Sequence, residues 1–115
     1  MYVDKEHGYQ EGEALLDLSK PSLQALSHIL RHKELWPRGF DWFFYSCNRC
    51  AMGLAHSLWE NIHCPVPQAM ADNFNMPLAR SEYIFYGDWI EKPYTVVVTP
   101  EMVADQIDKY LATSE

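Results

Sequence analysis

The sequence has few cysteines, few cations and no long apolar run, and each shortage argues against a class of protein. Its 115 residues include three cysteines, an odd and small number for a secreted scaffold held together by disulfides. No apolar segment approaches the roughly 20 residues that a membrane-spanning helix needs. The chain also lacks a basic start followed by an apolar stretch, so we expect no signal peptide. We therefore expect a cytoplasmic protein with reduced thiols and no membrane association.

Cations are scarce and are not clustered. Nine Lys and Arg stand against sixteen Asp and Glu, which gives a net charge of −7. The acidic excess lies in residues 1–17 and 100–115, while residues 18–99 carry equal numbers of both signs. Binding to a phosphate backbone needs clustered cations. The sequence therefore predicts no nucleic-acid binding, and its acidic ends would suit a protein partner with a basic surface.

Glycines are also few and scattered, so no glycine-rich loop is present to hold a phosphate. Apolar residues make up 48% of the chain and aromatic residues 14%, the composition of a globular protein. A chain of this length matches one domain. We expect an acidic N-terminal arm over residues 1–18 and a single compact domain over residues 19–115.

The spacing of apolar residues predicts three main helices. The first covers residues 21–35, the second covers residues 50–62, and the third begins at Pro100, since proline suits the first position of a helix. A shorter helix is predicted over residues 68–74. Gly53 falls inside the second helix, where it costs about 1 kcal/mol relative to alanine. That cost is tolerable if another backbone packs closely against it.

Three further segments are predicted to be strands. Residues 40–45 contain five aromatic side chains in six positions, residues 81–86 place aromatic or apolar side chains on both faces, and residues 94–98 are rich in β-branched side chains. The expected fold is therefore α+β. It would have a small antiparallel or mixed sheet of about three strands, packed against three main helices in a single layer on one face.

The segment from Cys47 to Cys50 stands between a predicted strand and a predicted helix. A thiol at a helix N-terminus is favoured as thiolate by the helix dipole. This arrangement resembles the redox motif of the thioredoxin-like family, which implies a dithiol oxidoreductase that uses Cys50 with Cys47. A cysteine that opens a helix is also similar to papain-like enzymes, which implies a hydrolase with Cys50 as nucleophile. Those enzymes take their base from a later histidine, and no histidine follows His63 here.

Cys47 and Cys50, together with His63 and Cys64, are also a potential zinc site, because a pair of cysteines at this spacing is half of a tetrahedral set. The predicted helix between the two halves would separate them by about 20 Å, too far for one ion. We therefore expect neither a metal nor a cofactor. The alternative is that the two cysteines have a structural role only and pack the start of the helix as small apolar residues.

The aromatic rings exceed what a core of this size can enclose, so we expect some of them to form a pocket or a surface. The candidate ligand or partner residues are Trp36, Trp42, Phe44, Trp59, Tyr86 and Trp89. The sequence favours a small acidic binding module without catalysis, self-associating as a homodimer. It would bind a small ligand in an aromatic pocket or, as an accessory protein of a phage or mobile element, a host protein. The alternative is a thiol-dependent enzyme.

Overall fold

The structure, a computed structural model, describes residues 17–46, 48–90 and 97–113. The helices are α1 (Leu23–Arg31), α2 (Ala51–Leu58), α3 (Pro67–Phe74), α4 (Leu78–Phe85) and α5 (Pro100–Thr113), and a 3-10 turn, Lys33–Leu35, follows α1. Every regular element in these ranges is helical. The prediction of an α+β fold, with about three strands under a single layer of helices, is therefore wrong.

The segment 81–86, predicted to be a strand, lies almost wholly in α4. Ser81, Ile84 and Phe85 are its buried residues. This spacing of three and then four positions describes one face of a helix. A short apolar run satisfies a strand pattern and a helix pattern equally well, and the packing of α4 decides between them.

Residues 40–45, also predicted to be a strand, form turns instead. The backbone amides of Phe40 and Ser46 each donate to a carbonyl three residues earlier, at 3.0 and 3.1 Å. No strand accompanies this segment in the described part of the chain, because 81–86 is helical. The third predicted strand, 94–98, falls mostly outside the described residues, and the two of its residues that are described, 97 and 98, have no regular structure.

The predicted start of α5 agrees with the structure, and the predicted start of α3 is one residue late. α5 begins at Pro100, and the hydroxyl of Thr99 accepts a hydrogen bond from the amide of Met102 at 3.2 Å. α3 begins one residue before the predicted helix, with Pro67 in its first turn. The start of α5 is confirmed, because the cap and the proline that set it are local to the sequence.

The first two helices are shorter than predicted. α1 begins directly after its N-cap residue Ser22, whose hydroxyl accepts a hydrogen bond from the amide of Ala25 at 3.0 Å. α2 ends at Leu58 because Trp59 leaves the helical conformation. The Trp59 side chain is buried, and its indole N–H donates to the carbonyl of Leu18 at 3.1 Å.

The core is built around α1 and α5, whose packing is the most extensive between any two helices, while α3 and α4 form a helical hairpin. The α1–α5 contact also carries polar links. Arg31 donates to Asp105 at 2.8 Å and to Asp108 at 2.7 Å, and Ser27 donates to Asp108 at 2.7 Å. None of the helices described has the length and apolar character to cross a lipid bilayer.

Candidate functional site

Two of the tryptophans predicted to bind a ligand lie side by side, between the end of α1 and the start of α5. The indole N–H of Trp36 donates to the carbonyl of Ile29, and that of Trp42 donates to the carbonyl of Val98, both at 2.8 Å. Their ring centroids are 6.2 Å apart, with 34° between the ring planes. Because both indole N–H groups have partners, the rings are held in place with part of their surface open to contact.

These rings line an open cavity of about 390 Å³, within the range of small-molecule sites. We call it the tryptophan cleft, and its principal residues are Lys33, Trp36, Phe40, Trp42, Pro100 and Glu101. Phe40 meets Trp36 edge to face, with 5.4 Å between ring centroids. Gly39, with φ +86°, makes the tight turn that brings Phe40 back to this position.

Two of the charged residues that line the cleft are already engaged. Arg31 binds Asp105 and Asp108 of α5, and the hydrogen bond with Asp105 is the main cause that raises the pKa of Arg31 above its usual value. Asp41 accepts a hydrogen bond from Arg49, which also lies over a phenyl ring nearby. The charges of Arg31 and Asp41 are therefore matched within the protein, and these two residues serve as parts of the cleft wall.

The two other charged residues of the cleft are Lys33 and Glu101. Within the ranges described, neither side chain makes a hydrogen bond or an ion pair. Both are exposed at the cleft, one on the 3-10 turn after α1 and the other in the first turn of α5. The cleft therefore offers one positive and one negative group beside a floor of aromatic rings.

Three further aromatic candidates cluster on a second surface. Phe44 packs against Trp89 with 6.3 Å between ring centroids, and Phe44 and Tyr86 line a groove of about 230 Å³, the Phe44 groove. Gly87 has φ +83°, and a Cβ there would lie 2.8 Å from the Phe44 ring. Because residue 87 has no side chain, the Phe44 ring can pack closely against its backbone. The neighbouring Tyr86 is 57% exposed.

The sixth aromatic candidate, Trp59, is placed in neither group. It is 4% exposed and packs edge to face against Phe74, at 6.3 Å between centroids. Its ring supports the core and lines neither the tryptophan cleft nor the Phe44 groove. Of the six residues, two line the tryptophan cleft, two line the Phe44 groove, Trp89 packs beside that groove against Phe44, and Trp59 lies in the interior.

The predicted thiol site is only partly described. Cys50 is the N-cap of α2 and is 2% exposed, while Cys47 lies outside the described residues. A thiol that attacks a substrate must be reached by it. The Phe44 groove, which Cys50 also lines, leaves almost none of its surface open to a ligand. Thiol catalysis stays a prediction.

The metal hypothesis also gains no geometric support in the ranges described. Cys64 is exposed beyond the end of α2, and Cys50 is buried at the other end of that helix. Among the residues that the structure places, no group of three or more His, Cys, Asp or Glu side chains converges as metal ligands would. Cys47 is outside these ranges.

The sequence does not predict Lys33 and Glu101 as parts of the site. Phe40 belongs to the surplus aromatic rings from which a pocket is expected, although it is not one of the six candidate residues. Lys33 and Glu101 belong to helices far apart in the chain, and no local pattern links them. In comparisons with protein-family models, curated proteins and solved structures, this chain matched none, so the chemistry of the site itself carries the functional argument.

Proposed function

We propose that the chain is a non-catalytic binding module that takes a small zwitterionic molecule with a flat ring in the tryptophan cleft. The observation that carries this proposal is the pair of held indole rings, Trp36 and Trp42, beside two opposite charges without partners in the described residues. A free aromatic amino acid has the matching chemistry.

Each part of such a ligand has a counterpart in the cleft. The flat ring would lie on the indole surface, where aromatic contacts contribute about 0.5–1.5 kcal/mol beyond the burial of area. The carboxylate would meet the ammonium of Lys33, and the ligand ammonium would meet the carboxylate of Glu101, as charge-assisted hydrogen bonds. Ordering two long side chains opposes these gains, so we expect modest affinity.

The protein carries its own reporters for this test. We would titrate the full chain with L-phenylalanine and follow the indole N–H signals of its four tryptophans by proton–nitrogen NMR. We expect the signals of Trp36 and Trp42 to shift. Those of Trp59 and Trp89 lie elsewhere and serve as internal controls. A shift confined to the two controls would contradict the proposal.

Two related probes separate the charges. Phenethylamine lacks the carboxylate of phenylalanine, and 3-phenylpropionate lacks its ammonium. We expect Lys33→Gln to weaken the binding of phenylalanine and of 3-phenylpropionate about tenfold, or about 1.4 kcal/mol. The binding of phenethylamine should not change. Glu101→Gln should instead weaken the binding of phenylalanine and of phenethylamine. Lys20→Gln and Glu60→Gln, at exposed positions away from the cleft, are the matched controls.

Equal effects of both charge variants on all three probes would contradict the assignment of the two charges. Binding that survives the loss of both tryptophan rings, in a double Trp36→Leu and Trp42→Leu variant that still folds, would contradict the cleft itself. The fold of each variant is checked by circular dichroism before its titration.

The other predicted roles stay open proposals. A basic protein partner would meet less available negative charge on α5 than the sequence indicates, since Asp105 and Asp108 are bound to Arg31. A homodimer would use the Phe44 groove, where Tyr86 is most exposed, and sedimentation of the Tyr86→Lys variant tests it. A cytoplasmic location and an accessory role in a phage or mobile element rest on cysteine number, size and charge alone.

A further inference from the structure

A second cleft lies between α4 and α5, away from the tryptophan cleft. It has a volume of about 330 Å³. α4 contributes Arg80 and Tyr83, and α5 contributes Gln106, Lys109 and Tyr110. Arg80 and Tyr83 are three residues apart, and Lys109 and Tyr110 lie three and four residues after Gln106. Each helix therefore presents these side chains on one face, and the two faces line the same cavity.

The charge of this cleft is opposite to that of the chain. The protein has a net charge of −7, yet the charged residues that line the cleft are Arg80 and Lys109, and none of the described lining residues has a carboxylate. In the described part of the chain, neither cation makes an ion pair or a side-chain hydrogen bond. Arg31 and Arg49, in contrast, are both paired with carboxylates.

The remaining lining adds polar groups and an apolar surface. The amide of Gln106 and the phenolic groups of Tyr83 and Tyr110 can all donate hydrogen bonds. The two tyrosine rings and Ile84 supply a surface on which a flat ring can lie. The cleft therefore combines two positive charges, several donors and an aromatic wall.

From this combination we infer a binding site for a small phosphate monoester that carries a flat ring. A phosphate monoester has a charge of about −1.5 to −2 at neutral pH, which matches two cations. The guanidinium of Arg80 fits two phosphate oxygens at once, and the ammonium of Lys109 acts as a point charge. The inference does not depend on the tryptophan cleft, because the two sites share no residue.

The test uses phenyl phosphate as the probe, titrated into the full chain and followed by calorimetry and by amide NMR signals of α4 and α5. We expect Arg80→Gln and Lys109→Gln each to weaken binding about tenfold. Both side chains are exposed, so both variants should keep the unfolding temperature of the unchanged protein. The control is Lys20→Gln, which removes an exposed cation that lines neither cleft and should leave phenyl phosphate binding unchanged.

Two further measurements test the role of the ring. Inorganic phosphate, which has no ring, should bind at least fivefold more weakly than phenyl phosphate, and phenol should show no measurable binding. Tyr83→Leu should weaken phenyl phosphate and leave inorganic phosphate unchanged. The inference is overturned if phenyl phosphate does not bind, if Lys20→Gln weakens its binding as much as Arg80→Gln does, or if inorganic phosphate binds equally well.

Discussion

Replacing Gly53 by alanine tests the close approach of the Asn48 backbone to α2. A Cβ at this position would lie 2.2 Å from the carbonyl oxygen of Asn48 and 2.3 Å from its carbonyl carbon. Carbon atoms that are not bonded prefer a separation of about 3.5–4.0 Å. Both neighbours are backbone atoms, so no side chain can rotate away. The loop before Cys50 would have to move off the first turn of the helix.

The expected loss of stability is the difference between two opposing effects. Alanine is the better helix former, which favours Gly53→Ala by about 1 kcal/mol. Overpacking costs about 1–3 kcal/mol, occasionally more, and a backbone contact this short belongs at the upper end. We expect a net loss of about 2 kcal/mol in the free energy of unfolding. With about 2.1 cal/mol/K of unfolding entropy per residue, this corresponds to a Tm lower by about 8 °C.

The measurement is urea unfolding followed by tryptophan fluorescence, with thermal unfolding by circular dichroism. We expect a lower midpoint with an unchanged slope. Ser57→Ala is the matched control, because Ser57 is exposed on the same helix. Its hydroxyl donates to the carbonyl of Gly53 at 2.9 Å, a bond within the helix that adds little to stability, so alanine should change stability there by less than about 0.5 kcal/mol. If Gly53→Ala is as stable as the unchanged protein or more stable, the close approach of the loop to α2 is refuted.

Three other substitutions test polar contacts of the helices. Ser81→Ala removes a fully buried hydroxyl that donates to the carbonyl of Pro67 at 2.7 Å, and should cost about 1–3 kcal/mol in urea unfolding because that carbonyl stays buried. A loss below 0.5 kcal/mol would show that the bond contributes little. Ser22→Ala removes the cap of α1 and should cost about 1 kcal/mol, recovered in the Ser22→Asp variant. Arg31→Gln should cost about 1 kcal/mol, because its side chain is 34% exposed and its ion pairs are screened. That loss should shrink in 1 M NaCl, and a Tm difference independent of salt would argue against an electrostatic origin.

The helix starts were predictable where a single local signal was sufficient. Thr99 followed by Pro100 sets the start of α5 without help from the rest of the chain, because the cap and the missing amide both act within one turn. The α3 helix begins at Pro67, one residue before its predicted start, and no side chain caps it. The close packing required at Gly53 was also foreseen, since a glycine inside a helix needs a neighbour that excludes a Cβ.

The wrong strands have a different physical origin. The aromatic side chains of residues 81–86 fit the alternating pattern of a strand. Only in the folded protein are Ser81, Ile84 and Phe85 buried together, and their spacing is that of a helix. Residues 40–45 would need a neighbouring strand to form a sheet, and the described part of the chain provides none. Pairing partners are a property of the whole fold, so a single segment cannot reveal their absence.

By itself, the sequence determined the charge, the start of α5 and the presence of surplus aromatic rings. Only the tertiary structure decided where those rings lie. Each tryptophan is directed by the carbonyl that accepts its indole N–H, and for Trp42 and Trp59 that carbonyl comes from a distant segment. Trp42 is thereby held in an open cleft, whereas Trp59 is drawn into the core. A hydrogen bond between remote segments exists only after the chain has folded. The position of a tryptophan ring that depends on such a bond therefore cannot be predicted from local sequence spacing.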